Sequence, residues 1–221
     1  MAETVVDDVG RRRFTRGDGL RLVVAVGIVV LGGAIASHGL PEWEDDVFRS
    51  VNTWPDALYP VLWPVMQLGN LWVATAVAVA AGVVLRSVRV AVVLGLVPIT
   101  AWMVAKGVKD LVNRGRPSGL VADAHLRGTP EGGLGYVSGH SAVAFALAAA
   151  LAAHLRPSVR RLAIALAVLV AVARVFVGVH LPLDVIGGAA AGLLVGEAAR
   201  GVELLLTRHH RPPAVAPATD H

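Results

Sequence analysis

The chain contains no cysteine, which excludes disulfides, thiol catalysis and thiolate metal sites. Charge is scarce as well: Asp, Glu, Lys and Arg make up 16% of the 221 residues, against 55% hydrophobic residues and a mean hydropathy of +0.65. Too little polar surface remains to wet a soluble domain, so the composition points to a helical membrane protein. Strand-like alternation is missing; the apolar segments are continuous runs, which argues against a membrane β-barrel. No internal repeat is visible, and no cluster of spare carboxylates is available to hold a divalent ion. The net charge of +4 and pI ≈ 10.3 raise the question of nucleic acid. The basic residues lie between apolar runs, however, where orientation in a bilayer explains them, and no nucleic-acid partner is expected.

What is present is a series of apolar runs. The first, Leu22 to Ser37, follows a basic segment, residues 1–21, that carries Arg11, Arg12, Arg13, Arg16 and Arg21. It has the outline of a signal peptide, with Ala34-Ile35-Ala36 ahead of Ser37, but small residues are common in membrane helices and it is read as a span. A polar stretch, residues 39–57, combines Glu42, Glu44, Asp45, Asp46 and Asp56 with Trp43, Phe48 and Trp54, which suits the headgroup level. The second run is interrupted by Pro60, Pro64 and Gly69-Asn70, so its span is placed from about Leu68 to Leu85. The third begins at Val90, passes Pro98 and reaches Lys106 and Lys109. A polar, glycine-rich loop fills residues 113–137. The fourth, fifth and sixth runs are Ser141 to Leu155, Leu162 to Val179 and Leu181 to Leu206. The tail, residues 207–221, has the composition of a disordered segment.

Basic residues orient this layout. With both termini and the turns at 86–89 and 156–161 on the cytoplasmic side, that side holds 13 of the 20 Lys and Arg: Arg11, Arg12, Arg13, Arg16, Arg21, Arg86, Arg89, Arg156, Arg160, Arg161, Arg200, Arg208 and Arg211. The positive-inside rule then favours about six spans in a cell-membrane protein with both ends inside. Under that topology the end of the third span, the loop after it, the start of the fourth span and the 174–184 turn meet at the outer face.

These places carry chemistry. Arg174, His180 and Asp184 interrupt a greasy run, where ionisable groups are expensive and functional by default. Pro182 suits the first turn of a helix, which sets Asp184 in that turn and His180 just before it. A carboxylate that orients an imidazole is what a nucleophilic or acid–base histidine needs. Ser138-Gly139-His140 opens an apolar helix whose unpaired N–H groups form an anion site. Lys109, Arg116 and Arg174 supply cations suited to a phosphate. Lys106 is read as a snorkelling residue and His125 as a solvated loop histidine, while Asp110, Asn113 and Arg114 are assigned no more than ordering of the loop.

Three segments together resemble the type 2 phosphatidic acid phosphatase (PAP2) superfamily. They are KDLVNRGRP from Lys109 to Pro117, Val137-Ser138-Gly139-His140, and Ala173-Arg174 through His180 to Asp184. Val137 stands where the family has proline, and Ala173 where it has serine. The resemblance implies an all-α integral membrane bundle whose catalytic unit spans residues 22–206. It further implies a metal-independent lipid phosphate or pyrophosphate phosphatase with no cofactor. His180 would be the nucleophile that forms a phosphohistidine, Asp184 its orienting carboxylate, and His140 the acid and base. Lys109, Arg116, Ser138, Gly139 and Arg174 would hold the phosphoryl oxygens. The expected partners are the bilayer and a membrane lipid phosphate; the sequence leaves the oligomeric state open. A phosphotransferase of the same fold and a non-catalytic lipid-binding protein are the rival readings, and the intact His140–His180–Asp184 set speaks against the second.

Overall fold

The computed structural model describes residues 16–128 and 132–208. Arg11, Arg12 and Arg13 and the tail from residue 209, on which the sequence reading made claims, lie outside the described residues. Among the described residues every regular element is helical. The helices are α1 (Arg16–Ser37), α2 (Glu42–Asn52), α3 (Tyr59–Met66), α4 (Leu71–Val84), α5 (Val88–Val112), α6 (Pro117–Leu120), α7 (Gly139–Leu151), α8 (Pro157–Phe176) and α9 (Pro182–Arg208). Short 3₁₀ turns, Asp56–Leu58 and Gln67–Gly69, flank α3.

Local chemistry sets these boundaries. Pro117, Pro157 and Pro182 each occupy the first helical position, where a missing N–H costs nothing. Asn70, Ser87 and Ser138 cap α4, α5 and α7 by accepting from backbone N–H groups of the first turn. α5 ends where Asn113 turns left-handed, at φ 52°. The fourth apolar run was expected to stay helical to Leu155, but α7 stops at Leu151. Pro157 drives Arg156 into an extended conformation (ψ 151°), so the helix must break before it.

Helices α1, α4, α5, α7, α8 and α9 answer to the six apolar runs. By length and composition, Gly19–Ser37, Val88–Leu120 and Pro182–Leu206 are each able to cross a membrane. α4 qualifies only together with the preceding 56–69 segment, across a 65° bend, which is the break expected near Gly69-Asn70. α7 is apolar but has 13 residues, and α8 has 20 with Arg160, Arg161 and Arg174 among them.

α7 is the centre of the bundle, with Ser141 to Ala144 and Ala146 to Ala150 all buried. Its alanines face a glycine stripe on α9. A Cβ at Gly192 would lie 2.3 Å from Ala142 O, and one at Gly196 would lie 2.5 Å from Ala149 Cβ. Small residues at every fourth position let two backbones approach without a side-chain layer between them. Large apolar side chains such as Leu31, Val84, Leu96 and Met103 remain exposed on the outside, as a lipid-facing surface requires. α2 instead buries Glu44, Phe48 and Asn52 on one face and exposes Trp43 and Val47 on another.

The bundle has two distinct ends. At one lie the 85–87 turn, the 152–156 turn and the end of α9, where Arg89 donates to Leu206 O and His154 pairs with Glu203 at 3.1 Å. The candidate site occupies the other.

Candidate active site

Each residue singled out from the sequence lies at this second end. Lys109 is in the last turn of α5, and Arg116 immediately precedes α6. Ser138 caps α7, with Gly139 and His140 in its first turn. Arg174 lies in the last turn of α8; His180 precedes α9, and Asp184 is in its first turn. Backbone contacts join these pieces. The Ser138 N–H donates to Asp184 O at 2.7 Å, tying the start of α7 to the start of α9. The N–H groups of Val179 and His180 both donate to Arg174 O at 3.3 Å, so the α8–α9 turn folds back on the α8 terminus.

The imidazole and carboxylate meet as their spacing predicts. His180 Nδ1 lies 3.3 Å from Asp184 Oδ2, which also accepts the Leu181 N–H at 2.9 Å. With the proton on Nδ1, His180 donates to the carboxylate and keeps Nε2 as the nitrogen with the lone pair. His180 and Asp184 are buried, as are Ser138 and Arg174, while His140, Lys109 and Arg116 are half-buried. Arg174 Nη1 reaches Met66 Sδ at 3.4 Å.

Two of the three cations also shape the mouth of the site. Lys109 Nζ donates to Leu134 O at 2.7 Å and to Gly135 O at 3.1 Å. Arg116 donates through Nε to Gly132 O and through Nη1 to Val179 O, both at 3.0 Å. The long loop is therefore more ordered than its composition implies. Tyr136 anchors it, reaching between α1 and α9 to donate to Val29 O at 2.6 Å. Gly32, Gly33 and Gly187 make the room, since a Cβ at Gly187 would lie 2.6 Å from the Tyr136 hydroxyl. Burial pushes the phenol up to about 12, so it remains a donor.

The sequence reading missed part of the site. Arg114, credited with no more than ordering the loop, is buried. It donates to Asp184 Oδ1 at 3.1 Å, to Glu44 Oε1 at 3.0 Å, to Glu44 Oε2 and to Gly39 O. Glu44, which reads as one interfacial acid among five, is fully buried and also accepts the Leu183 N–H at 2.8 Å. The available signal was periodicity: Glu44, Phe48 and Asn52 are four residues apart, on the face of α2 that Phe48 pulls inward. Taking one member from such a buried ion pair costs about 3–5 kcal/mol.

Lys106 and His125 both lie at the surface. Lys106 is exposed, 5.6 Å above the Trp102 ring. His125 has an exposed side chain, and its backbone is held by Asn52, whose Nδ2 also reaches Phe176 O. Beside it Arg127 stacks 4.1 Å over the Phe176 ring and donates to Phe176 O, closing the α8 terminus. Val137 and Ala173 are both fully buried in apolar clusters. Among the described residues no group of three or more His, Cys, Asp or Glu is placed to hold a metal.

The fold and site define an all-helical membrane bundle that carries a histidine–carboxylate pair and basic residues on the segments at one end. The PAP2 superfamily matches residues 72–202, which include all eight expected site residues, and the chain belongs to that superfamily. Among solved structures, the chain is similar to a transmembrane PAP2 type phosphatidylglycerolphosphate phosphatase from Bacillus subtilis. The identity is 23%, with 86% of this chain and 99% of that one covered and a TM-score of 0.70. It is also similar to LpxE of Aquifex aeolicus, at 24% identity over 72% of this chain and 95% of that one, with a TM-score of 0.61. At these identities the likeness establishes the fold. Comparison with curated proteins gives no match.

Proposed function

We propose that the chain is a metal-independent phosphatase of lipid phosphates or lipid pyrophosphates, working through a phosphohistidine at the extracytoplasmic face. The observation that carries this reading is the 2.7 Å bond from Ser138 N–H to Asp184 O. It sets the anion-binding start of α7, with His140, against the start of α9, with His180 and Asp184. The solved structure from Bacillus subtilis is described as a phosphatidylglycerolphosphate phosphatase, which supports the same reaction class.

In the proposed cycle His180 Nε2 attacks phosphorus and the bond to the lipid oxygen breaks as the P–N bond forms. His140 gives its proton to the leaving oxygen. It then takes a proton from water, whose oxygen attacks the phosphohistidine; the P–N bond breaks and inorganic phosphate leaves. Asp184 holds the Nδ1 proton throughout. Lys109, Arg116, Arg174, the Ser138 side chain and the Gly139 N–H stabilise the charge that spreads over the phosphoryl oxygens. The catalytic unit is assigned to residues 22–206, crossing the membrane six times, with the basic segment 1–21 and the tail 207–221 in the cytoplasm.

Phosphate release from phosphatidic acid, phosphatidylglycerol phosphate and polyprenyl pyrophosphate by purified protein in detergent tests the proposal. Turnover of at least one, undiminished by excess EDTA, is expected. No release from any of them would remove the function. Loss with EDTA that magnesium restores would replace the mechanism with a metal-assisted one.

A further inference from the structure

The proposed nucleophile is tied to a helix more than a hundred residues away in sequence. Asp184 reaches His180 through Oδ2, while Oδ1 is bound by Arg114 at 3.1 Å. Arg114 is itself fixed by both oxygens of Glu44 and by Gly39 O, and Glu44 returns to α9 by accepting the Leu183 N–H at 2.8 Å. The ring of contacts is closed: α9 to Arg114, Arg114 to Glu44, Glu44 to α9. Glu44, Arg114 and Asp184 are all buried, at 0%, 4% and 0% exposure. Gly135 seals it from the loop side, since a Cβ there would lie 3.0 Å from Asp184 Oδ2.

We infer that Glu44 and Arg114 are positioning residues that act through Asp184 to fix the tautomer and aim of His180. A carboxylate with two free rotors has several ways to face an imidazole. Binding its second oxygen to a guanidinium that cannot turn leaves one. Two features set this apart from a general stabilising pair. Arg114 serves both carboxylates from one planar fork, so its geometry is transmitted to Asp184. Glu44 also holds the Leu183 N–H, next to Asp184 in the first turn of α9, so the backbone and the side chain of the site take their reference from the same residue. Lys109, Arg116 and Arg174 stand outside the ring, so substrate affinity is separable from it.

The inference rests on the phosphatase reading for its catalytic consequence, but it has a readout independent of turnover. Full-length protein labelled with ¹⁵N-histidine in detergent micelles is expected to show a downfield Nδ1–H proton that His180→Ala removes. Glu44→Gln and Arg114→Lys should shift or broaden that proton, and Arg114→Met should abolish it. Asp46→Asn, an exposed change on α2, should leave it in place. On the best lipid substrate, Arg114→Met should lose kcat by roughly 10²-fold with KM within a few-fold of the parent. Arg114→Lys should recover part of that loss, having the charge but not the fork.

An unaltered imidazole proton and kcat in Arg114→Met and Glu44→Gln would overturn the inference. So would absence of the proton from the parent protein, or failure of both Glu44→Gln and Arg114→Lys to fold, which would make the pair purely structural. A parent that shows the proton, and variants that lose it, with no turnover of any lipid phosphate would leave the positioning role standing and remove the phosphatase reading.

Discussion

His180 and His140 carry different duties in the proposed cycle, and that difference is measurable. His180→Ala removes the attacking nitrogen and is expected to lose nearly all turnover on every substrate. His140→Ala keeps the nucleophile but lacks the acid, a role worth about 10²–10⁴-fold. An aryl phosphate with an acidic phenol needs no proton on its leaving oxygen, so it should partly rescue phosphorylation of His140→Ala and do nothing for His180→Ala. Because release of phosphate from the enzyme also needs a base, the His140 variant should accumulate acid-labile phosphohistidine. Alkaline quench, which preserves the P–N bond, and peptide mapping at neutral to basic pH check this; a label on His140 would exchange the two roles. At this scale the sequence was most readable where residue type and spacing state the chemistry. His180 and Asp184 four apart across Pro182 meet at 3.3 Å as expected. Arg114 was unreadable because a loop arginine two residues from Arg116 looks the same whether it faces water or, as here, a buried carboxylate.

Among elements, the contact between α7 and α9 decides whether the site exists. Gly192 sits where backbone meets backbone, so Gly192→Leu must push the helices apart. Overpacking of this kind costs about 1–3 kcal/mol. It should lower the thermal midpoint in detergent and depress kcat together, because the Ser138–Asp184 bond spans the same contact. Gly107 on α5 is the control, with nothing within 4 Å of its would-be Cβ. Gly107→Ala should leave activity unchanged and match or slightly exceed the parent in stability, given alanine's helix preference of about 1 kcal/mol. A normal midpoint for Gly192→Leu would mean the close approach is not required. Element positions were legible in the sequence because continuous apolar runs, prolines at first positions and capping Asn and Ser residues are local signals. The order inside the 113–137 loop was not: Tyr136 draws its partners from α1 and α9, more than fifty residues away on α9 and a hundred on α1.

For the whole molecule, orientation is the open physical question that a single residue answers. Gly132 is exposed at the site end of the bundle, and the chain has no cysteine to confuse a label. Gly132→Cys is expected to react with a membrane-impermeant maleimide in intact cells, as the inward bias of Arg and Lys requires. Reaction only after permeabilisation would reverse the topology and place the proposed chemistry in the cytoplasm. The tilt of basic residues toward one end was visible from the sequence, since it needs only a count. The closed ring that joins α2 to α9 was not, because long-range pairing of two charges leaves no trace in the local pattern of either.

That ring also sets an order of events during synthesis. Glu44 and Arg114 emerge from the ribosome early and Asp184 late. His180 and Asp184 arrive with the start of α9, after both of those partners. A chain halted short of the α8–α9 turn therefore lacks both His180 and Asp184. Under the proposed mechanism such a fragment has no nucleophile, and it cannot hydrolyse a lipid phosphate in the membrane into which it is being threaded.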